Sequence, residues 1–249
     1  MEQEILPNAR CRSQKSVILS LVLGSGLVLS ACDSEAPAPA PTQAASASEA
    51  PASTQPVSGE RRTILAFGDS LFAGYNVPKA DSYPADLETA LRAQGIDARV
   101  VNAGVSGDTS AAGRQRFEFT LGSLEETPDL LILELGGNDL LRSIDPAETR
   151  ANLAAIIEMA QNEGIDVLLL GMQAPPNVGP EFQSEFGAVY RSLAEEYGVA
   201  LVPNWIAEVA ARPELIQDDR VHPTVEGIDL LVQGTLDEVI AALPQREDP

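Results

Sequence analysis

The chain has 249 residues, with 16 Lys or Arg against 37 Asp or Glu, and a formal net charge of −21 at pH 7. A surface of this sign repels nucleic acid, so we exclude DNA or RNA as a partner and expect a soluble domain. The two cysteines, Cys11 and Cys32, both lie near the N-terminus. The sequence therefore predicts no disulfide inside the folded part.

Residues 1–31 have the features of an export signal. A basic start is followed by an apolar run over residues 17–29 that is short and interrupted by Gly and Ser. The run ends in Leu29-Ser30-Ala31-Cys32, which resembles the lipobox of bacterial lipoproteins, where the cysteine is lipidated and becomes residue one. An ordinary signal peptide and an uncleaved anchor are the alternatives. Asp33 resembles an inner-membrane retention signal, so we expect a membrane-anchored protein on the periplasmic side.

Residues 32–60 are expected to comprise the lipidated Cys32 and a linker that follows it. This segment is rich in Ala, Pro and Ser and contains no aromatic side chain. Such a composition cannot bury enough apolar surface to offset chain entropy, so we expect it to remain extended and mobile. Residues 61–249 are then long enough for one domain of ordinary size.

The rest of the chain alternates short apolar runs with amphipathic stretches. Strands are predicted at residues 63–67, 98–101, 130–135, 167–171 and 200–202. Helices are predicted at residues 83–94, 111–121, 147–163, 181–197 and 225–243. Gly95, Gly164 and Gly198 stand where helix ends favour glycine. Near-continuous apolar strands alternating with helices predict an α/β fold, a three-layer α/β/α sandwich with a central parallel sheet.

Polar, glycine-rich segments follow the first three predicted strands and precede the last predicted helix. They read FGDSL at 67–71, NAGVSGDT at 102–109, LGGND at 135–139 and DRVHP at 219–223. Because the carboxyl ends of parallel strands meet at one edge of a sheet, we expect these four segments to converge. Each taken alone could be a plain turn or a helix cap.

His222 is the only histidine in the chain. Histidine is the usual acid–base residue near neutral pH, although a lone histidine can equally be a cap or a core residue. A serine nucleophile needs such a base, and the base needs a carboxylate that orients it. The oxyanion formed by attack on an ester needs donors already in place, which glycine amides and an asparagine side chain can supply. The four segments therefore predict ester hydrolysis.

The same motifs resemble the SGNH (GDSL-type) hydrolases, in particular the branch of multifunctional bacterial esterases, thioesterases and lysophospholipases. The similar stretches are FGDSLFAGY at 67–75, GDTSAAG at 107–113, LELGGNDLL at 133–141 and QDDRVHP at 217–223. The resemblance spans residues 63–243 and implies the flavodoxin-like SGNH-hydrolase fold. A Gly-x-Ser-x-Gly elbow is absent from the sequence, which argues against an α/β-hydrolase proper.

The resemblance also implies roles for individual residues. Ser70 would be the nucleophile, His222 the general base and then the general acid, and Asp219 the orienting carboxylate. The Ser70 amide, the Gly107 amide and the Asn138 side chain would form the oxyanion hole. Gly107 matches the donor position better than Gly104. No cofactor and no metal are expected.

The expected substrates are aryl esters, short-to-medium acyl esters and lysophospholipids, with acyl thioesters as a further capability. A glycan or cell-wall O-deacetylase would use the same residues, and a catalytically silent, membrane-tethered binding protein is the alternative from another class. The expected partners are a small-molecule ester and, through Cys32, a membrane; the chain is expected to be a monomer. Residues 140–145 and 175–179 are candidate walls of an acyl groove, whereas Trp205 is expected in the core.

Overall fold

The computed structural model describes residues 57–245, so the predicted export signal, Cys32 and most of the predicted linker lie outside the described residues. Five strands form one sheet: β1 (Ser58–Gly68), β2 (Ile96–Gly104), β3 (Leu130–Glu134), β4 (Asp166–Leu170) and β5 (Ala200–Val202). All five predicted strands are confirmed. β1 begins at Ser58, slightly before the predicted start of the domain, because its first residue already pairs with Ile96 of β2.

The sheet is parallel throughout, with the strand order β2-β1-β3-β4-β5. All five residues of β3, its central strand, are buried, which explains its almost unbroken apolar sequence. The one polar side chain in β3 is Glu134, at its carboxyl end. A sheet covered on both faces was predicted from this pattern and is confirmed.

Eight α-helices accompany the strands in the described part of the chain. They are α1 (Ser70–Ala73), α2 (Tyr83–Ala93), α3 (Ser110–Gly122), α4 (Gly137–Leu141), α5 (Pro146–Asn162), α6 (Pro180–Tyr197), α7 (Ala207–Ala210) and α8 (Val225–Ala242). The five long helices agree with the prediction to within one residue at each end, and all three predicted end glycines have positive φ. α1, α4 and α7 were not predicted, because helices of four or five residues carry no usable periodicity.

The helices form two layers around the sheet. α2 packs against α8, whereas α5 packs against both α3 and α6. Right-handed crossovers place these two groups on opposite faces, because the chain moves from β1 to β2 in one direction and from β2 to β3 in the other. The predicted three-layer sandwich is therefore confirmed.

An aromatic cluster fills the layer under α1 and α2. Phe72 of α1 stacks on Tyr83 of α2 with ring centroids 5.0 Å apart, and both rings contact Trp205 edge-on. Trp205 is buried, as predicted. Offset and edge-on aromatic pairs stabilise a core beyond the area they bury, so this cluster fixes α1 against the sheet.

The strand order creates a crevice at the carboxyl end of β1. β2 lies on one side of β1 and β3 on the other, so the segments that follow these three strands diverge from a common edge. α1 follows β1, the segment containing Gly107 follows β2, and α4 follows β3. Among residues 57–245, no helix is long and apolar enough to span a bilayer.

Candidate active site

Ser70 is the first residue of α1 and is separated from the end of β1 by Asp69 alone. Asp69 caps the helix, since its Oδ1 accepts a hydrogen bond of 3.0 Å from the backbone N–H of Leu71. Asp69 therefore shapes the turn that carries Ser70. Gly68 and Gly104 allow close packing here: a Cβ on Gly104 would lie 2.3 Å from the backbone nitrogen of Ala73.

The loop that carries His222 is a narrow turn before α8. The backbone N–H of Gln217 donates to the carbonyl of His222 at 2.8 Å, and Arg220 at the tip has a positive φ of 62°. The side-chain amide of Gln217 also donates to the carbonyls of Tyr75, at 3.0 Å, and Pro223, at 2.7 Å. These bonds tie the histidine loop to the segment that follows α1.

His222 joins the other two predicted triad residues. Its Nε2 lies 2.8 Å from Ser70 Oγ, and its Nδ1 lies 2.6 Å from Asp219 Oδ2. Ser70 and His222 are 152 residues apart in the chain, so only the fold brings them together. The structure thus assembles a hydroxyl, an imidazole and a carboxylate in one relay.

Asp219 is held by three hydrogen bonds. Its second oxygen, Oδ1, accepts the backbone N–H groups of Val221 at 2.9 Å and of His222 at 3.0 Å. Desolvation raises the pKa of Asp219, but these backbone bonds and the bond from the imidazole outweigh it and lower the pKa to about 2. The carboxylate that faces the imidazole is therefore ionised at neutral pH.

The three predicted oxyanion-hole residues surround the same opening. Ser70, Gly107 and Asn138 line one pocket of about 580 Å³ together with Asp219 and His222. Gly107 has a φ of 87°, a backbone conformation that favours glycine. Gly104 instead packs against α1 and does not line this pocket, which agrees with the preference for Gly107 as a donor.

Buried hydrogen bonds hold Asn138 in place. Its Nδ2 donates to Asp69 Oδ2 at 2.9 Å, which links α4 to the serine turn. The neighbouring Asp139 is fully buried and accepts the N–H of Ser110 at 2.7 Å and its hydroxyl at 2.5 Å. The start of α4 is therefore anchored to the starts of both α1 and α3.

The remaining walls of the pocket are mainly apolar. The predicted groove segments contribute Leu140, Leu141 and Pro175. The other apolar lining residues are Leu71, Met172, Ile206, Ala210, Ile216 and Val221. A pocket with apolar walls and a few polar groups at one end fits a substrate with an acyl chain and a single reacting polar group.

Sequence reasoning missed two residues that contact this site. The ring of Tyr75 stacks on the imidazole of His222, with centroids 4.3 Å apart and an interplanar angle of 30°. Glu134 lies fully buried next to Asp69, whose N–H donates to Glu134 Oε2 at 3.2 Å. Glu134 could have been noticed as an acid within an otherwise apolar strand, whereas nothing local marked Tyr75 as a partner of His222.

The described residues offer no obvious place for a metal ion. Between residues 57 and 245, no three or more His, Cys, Asp or Glu side chains are grouped so that they could hold one.

Fold, relay and pocket together define a serine hydrolase that cleaves carboxylic esters. The chain matches the GDSL-like lipase/acylhydrolase family over residues 66–230, and it belongs to this family.

Three similar proteins agree with this assignment. Esterase TesA of Pseudomonas aeruginosa is 42% identical over 173 residues, covering 70% of this chain and 85% of the relative. Thioesterase 1/protease 1/lysophospholipase L1 of Escherichia coli K12 is 37% identical over 161 residues, covering 65% and 75%. The crystal structure of AlinE4, an SGNH-hydrolase family esterase, is 57% identical with a TM-score of 0.64, covering 76% of this chain and all of that one.

Proposed function

We propose that Ser70, His222 and Asp219 carry out the ester cleavage through an acyl-enzyme. The observation that carries this proposal is the unbroken relay from Ser70 Oγ to His222 Nε2 and from His222 Nδ1 to Asp219. Ser70 Oγ attacks the ester carbonyl carbon while its proton passes to Nε2 of His222. The carbonyl oxygen becomes the oxyanion of a tetrahedral intermediate.

The oxyanion is stabilised by the backbone amides of Ser70 and Gly107 and by the side-chain amide of Asn138. The intermediate then expels the alcohol, which takes the proton from Nε2. Water then attacks the acyl-enzyme and gives a proton to Nε2 of His222, and this proton passes to Ser70 Oγ as the carboxylic acid leaves. Asp219 keeps the imidazole in the required tautomer and stabilises its charged form.

The test of this mechanism is a comparison of the wild type with Ser70→Ala on a p-nitrophenyl ester. We expect kcat to fall by about 10⁴-fold or more, because binding and the oxyanion donors alone supply little of the rate. Ser123→Ala, on the exposed end of α3, is a matched control and should leave kcat unchanged. Equal rates for wild type and Ser70→Ala would overturn the assignment of the nucleophile.

For the substrate, the apolar pocket favours monoacyl and aryl esters over small acetylated sugars. The Escherichia coli relative is named a thioesterase and lysophospholipase, which supports lysophospholipids and acyl thioesters as further substrates. A chain-length panel of esters and thioesters, run with a lysophospholipid and an acetylated xylooligosaccharide, tests this choice. Rapid deacetylation of the glycan without hydrolysis of any lysophospholipid would show a glycan O-deacetylase instead.

We further propose that the protein is an exported lipoprotein, lipidated at Cys32 and retained at the inner membrane by Asp33. The support is the sequence Leu-Ser-Ala-Cys after a short apolar run, followed by a segment rich in Ala, Pro and Ser. Incorporation of labelled palmitate should be lost in Cys32→Ser, and the protein should leave the membrane fraction. Labelling that persists in Cys32→Ser would contradict this proposal.

A further inference from the structure

Glu134 is a buried acid that none of the proposed catalytic steps uses. It is the last residue of β3 and is fully buried directly below the turn that carries Ser70. Its Oε2 accepts the N–H of Asp69 at 3.2 Å, and a Cβ on Gly68 would lie 2.6 Å from the same oxygen. Within the described residues, its Oε1 has no conventional hydrogen-bond partner. Burying a charged carboxylate without a partner costs free energy, so a buried acid in this position calls for an explanation.

The side chain of Glu134 lies against Asp69, whose N–H it accepts, and each of the two acids affects the pKa of the other. Asp69 is itself almost fully buried, with 2% of its surface exposed. Two carboxylates have no donor between them, so a hydrogen bond between them requires a proton on one of the two. One proton on the pair would supply that donor and would avoid two adjacent charges in a buried site.

The other hydrogen bonds show which acid carries that proton. Asp69 accepts the N–H of Leu71 at 3.0 Å and the amide of Asn138 at 2.9 Å, and both bonds favour its charged form. Burial raises the pKa of Asp69, while burial and the nearby charge of Asp69 raise the pKa of Glu134 well above its usual range. The charge therefore remains on Asp69 and the proton on Glu134.

We propose that Glu134 is a positioning residue of the ester hydrolysis, held as a neutral carboxylic acid that donates to Asp69 and fixes its carboxylate. Asp69 in turn holds the start of α1 through Leu71 and one N–H of the Asn138 amide. An amide nitrogen has two N–H groups, so the second one is available to the oxyanion. This inference rests on the proposed function, in which Asn138 stabilises that oxyanion.

Other ionisable groups surround the pair. Arg116 donates to the carbonyl of Gly68 at 2.9 Å, but its charge is already paired with Asp108 at 2.6 Å. The titratable side chains that interact with Glu134, with Asp69 or with their immediate neighbours are Tyr83, Asp139, Tyr190 and His222. Burial raises the pKa of both tyrosines, so they remain neutral and do not compensate a charge on Glu134.

The experiment compares Glu134→Gln with Glu134→Leu. Glutamine has the shape of the neutral acid and can both accept from Asp69 N–H and donate to its carboxylate, so we expect kcat to stay within about threefold of the wild type. Leucine has a similar size but cannot donate. We expect kcat to fall by about 10-fold to 100-fold with KM nearly unchanged, because an oxyanion donor is displaced. Affinity for an alkylboronic acid, a transition-state analogue, should fall with kcat.

Two kinetic outcomes would overturn the proposal. One is a Glu134→Leu variant that folds and keeps the wild-type kcat, since Glu134 would then position nothing. The other is a Glu134→Gln variant as impaired as Glu134→Leu, since the charge of Glu134 rather than its proton would then matter.

A measurement on the wild type keeps the proposal testable if the leucine variant fails to fold. At pH 7, infrared spectroscopy should show the C=O stretch of a protonated carboxylic acid, and this band should disappear in Glu134→Gln. Its absence from the wild type would overturn the inference. Ser70→Ala should lose activity but keep the band, so failure of the proposed function and failure of this inference give different results.

The dependence of stability on pH provides a second independent readout. Because the pKa of Glu134 is raised in the folded state, the wild type binds more protons folded than unfolded above about pH 4.3 and loses stability as pH rises. Glu134→Gln lacks this loss, so its Tm relative to the wild type should increase between pH 4 and pH 7. A constant Tm difference over this range would contradict a neutral Glu134.

Discussion

At the scale of single residues, three side chains orient the imidazole of His222. One ring nitrogen faces Ser70 and the other faces Asp219, while Tyr75 covers one face of the ring. The backbone N–H groups of Val221 and His222 fix the Asp219 carboxylate three residues before the histidine. The bond from this carboxylate to the imidazole then sets the tautomer of the ring.

Asp219→Asn tests this arrangement. The amide has nearly the same shape but cannot hold the imidazole in the required tautomer, so we expect kcat to fall by about 10³-fold to 10⁴-fold with little change in KM. The measurement is steady-state hydrolysis of a p-nitrophenyl ester. The exposed neighbour Asp218 supplies the control, since Asp218→Asn should retain wild-type kinetics. A loss of similar size in both variants would indicate a general charge effect rather than orientation of His222.

The lowered pKa of Asp219 also predicts how the same pair of variants responds to acid. Because this pKa is about 2, below the unfolded value of about 3.9, the carboxylate contributes stability above pH 4 that is lost as the pH falls towards 2. The stability difference between the wild type and Asp219→Asn, measured by urea unfolding, should therefore shrink between pH 4 and pH 2. A difference that grows in acid would contradict the lowered pKa.

At the scale of elements, α1 is positioned by close packing against β2. Gly104 ends β2, and a Cβ there would lie 2.3 Å from Ala73 N and 2.8 Å from the carbonyl oxygen of Asp69. Both atoms belong to the backbone around Ser70, so they cannot move without moving the nucleophile. The short helix thus depends on its neighbours, since four residues are too few to be stable alone.

Gly104→Ala should therefore disturb both stability and catalysis. We expect a loss of about 1–3 kcal/mol of unfolding free energy from overpacking, together with a decrease in kcat as Ser70 shifts relative to His222. Gly234→Ala is the matched control, because Gly234 lies on the exposed face of α8 with nothing within 4 Å of the added Cβ. It should stabilise the protein by about 0.5–1 kcal/mol without altering kcat. Equal stability changes in the two variants, measured by urea unfolding, would contradict the packing argument.

At the scale of the whole molecule, the proposed catalytic residues come from distant parts of the described chain. Ser70, Gly107, Asn138, Asp219 and His222 all lie in the described residues and line one pocket. The pocket is at the carboxyl edge of the sheet, where the strand order changes direction. All five proposed catalytic residues therefore lie in the described part of the chain.

A variant that starts at residue 57 should consequently hydrolyse a short, soluble ester with the kcat/KM of the full chain. The measurement is initial-rate kinetics on purified proteins. A second assay uses a lysophospholipid embedded in membranes. Here the full chain should be faster than the truncated variant, because the proposed lipid anchor raises its local concentration at the membrane. A large loss of activity on the soluble ester would show that the N-terminal segment contributes to the site itself.

The sequence alone was sufficient to predict the five strands and the five long helices. Apolar runs and helical periodicity depend on neighbouring residues, so all five strands and the five long helices could be predicted. The Gly-Asp-Ser, Gly-Gly-Asn-Asp and Asp-Arg-Val-His segments also predicted candidate reacting groups, because each motif is local. The one-turn helices α1, α4 and α7 could not be predicted, since neighbouring elements rather than their own periodicity stabilise them.

The tertiary structure alone decided which distant side chains meet. The contact between Ser70 and His222 spans 152 residues, and the one between Asp69 and Glu134 spans 65. The stacking of Tyr75 on His222 has no local signal either. Such contacts follow from strand order and crossover direction, which no window of neighbouring residues encodes. The raised pKa of Glu134 likewise arises only in the folded state, where burial removes water from its carboxyl group.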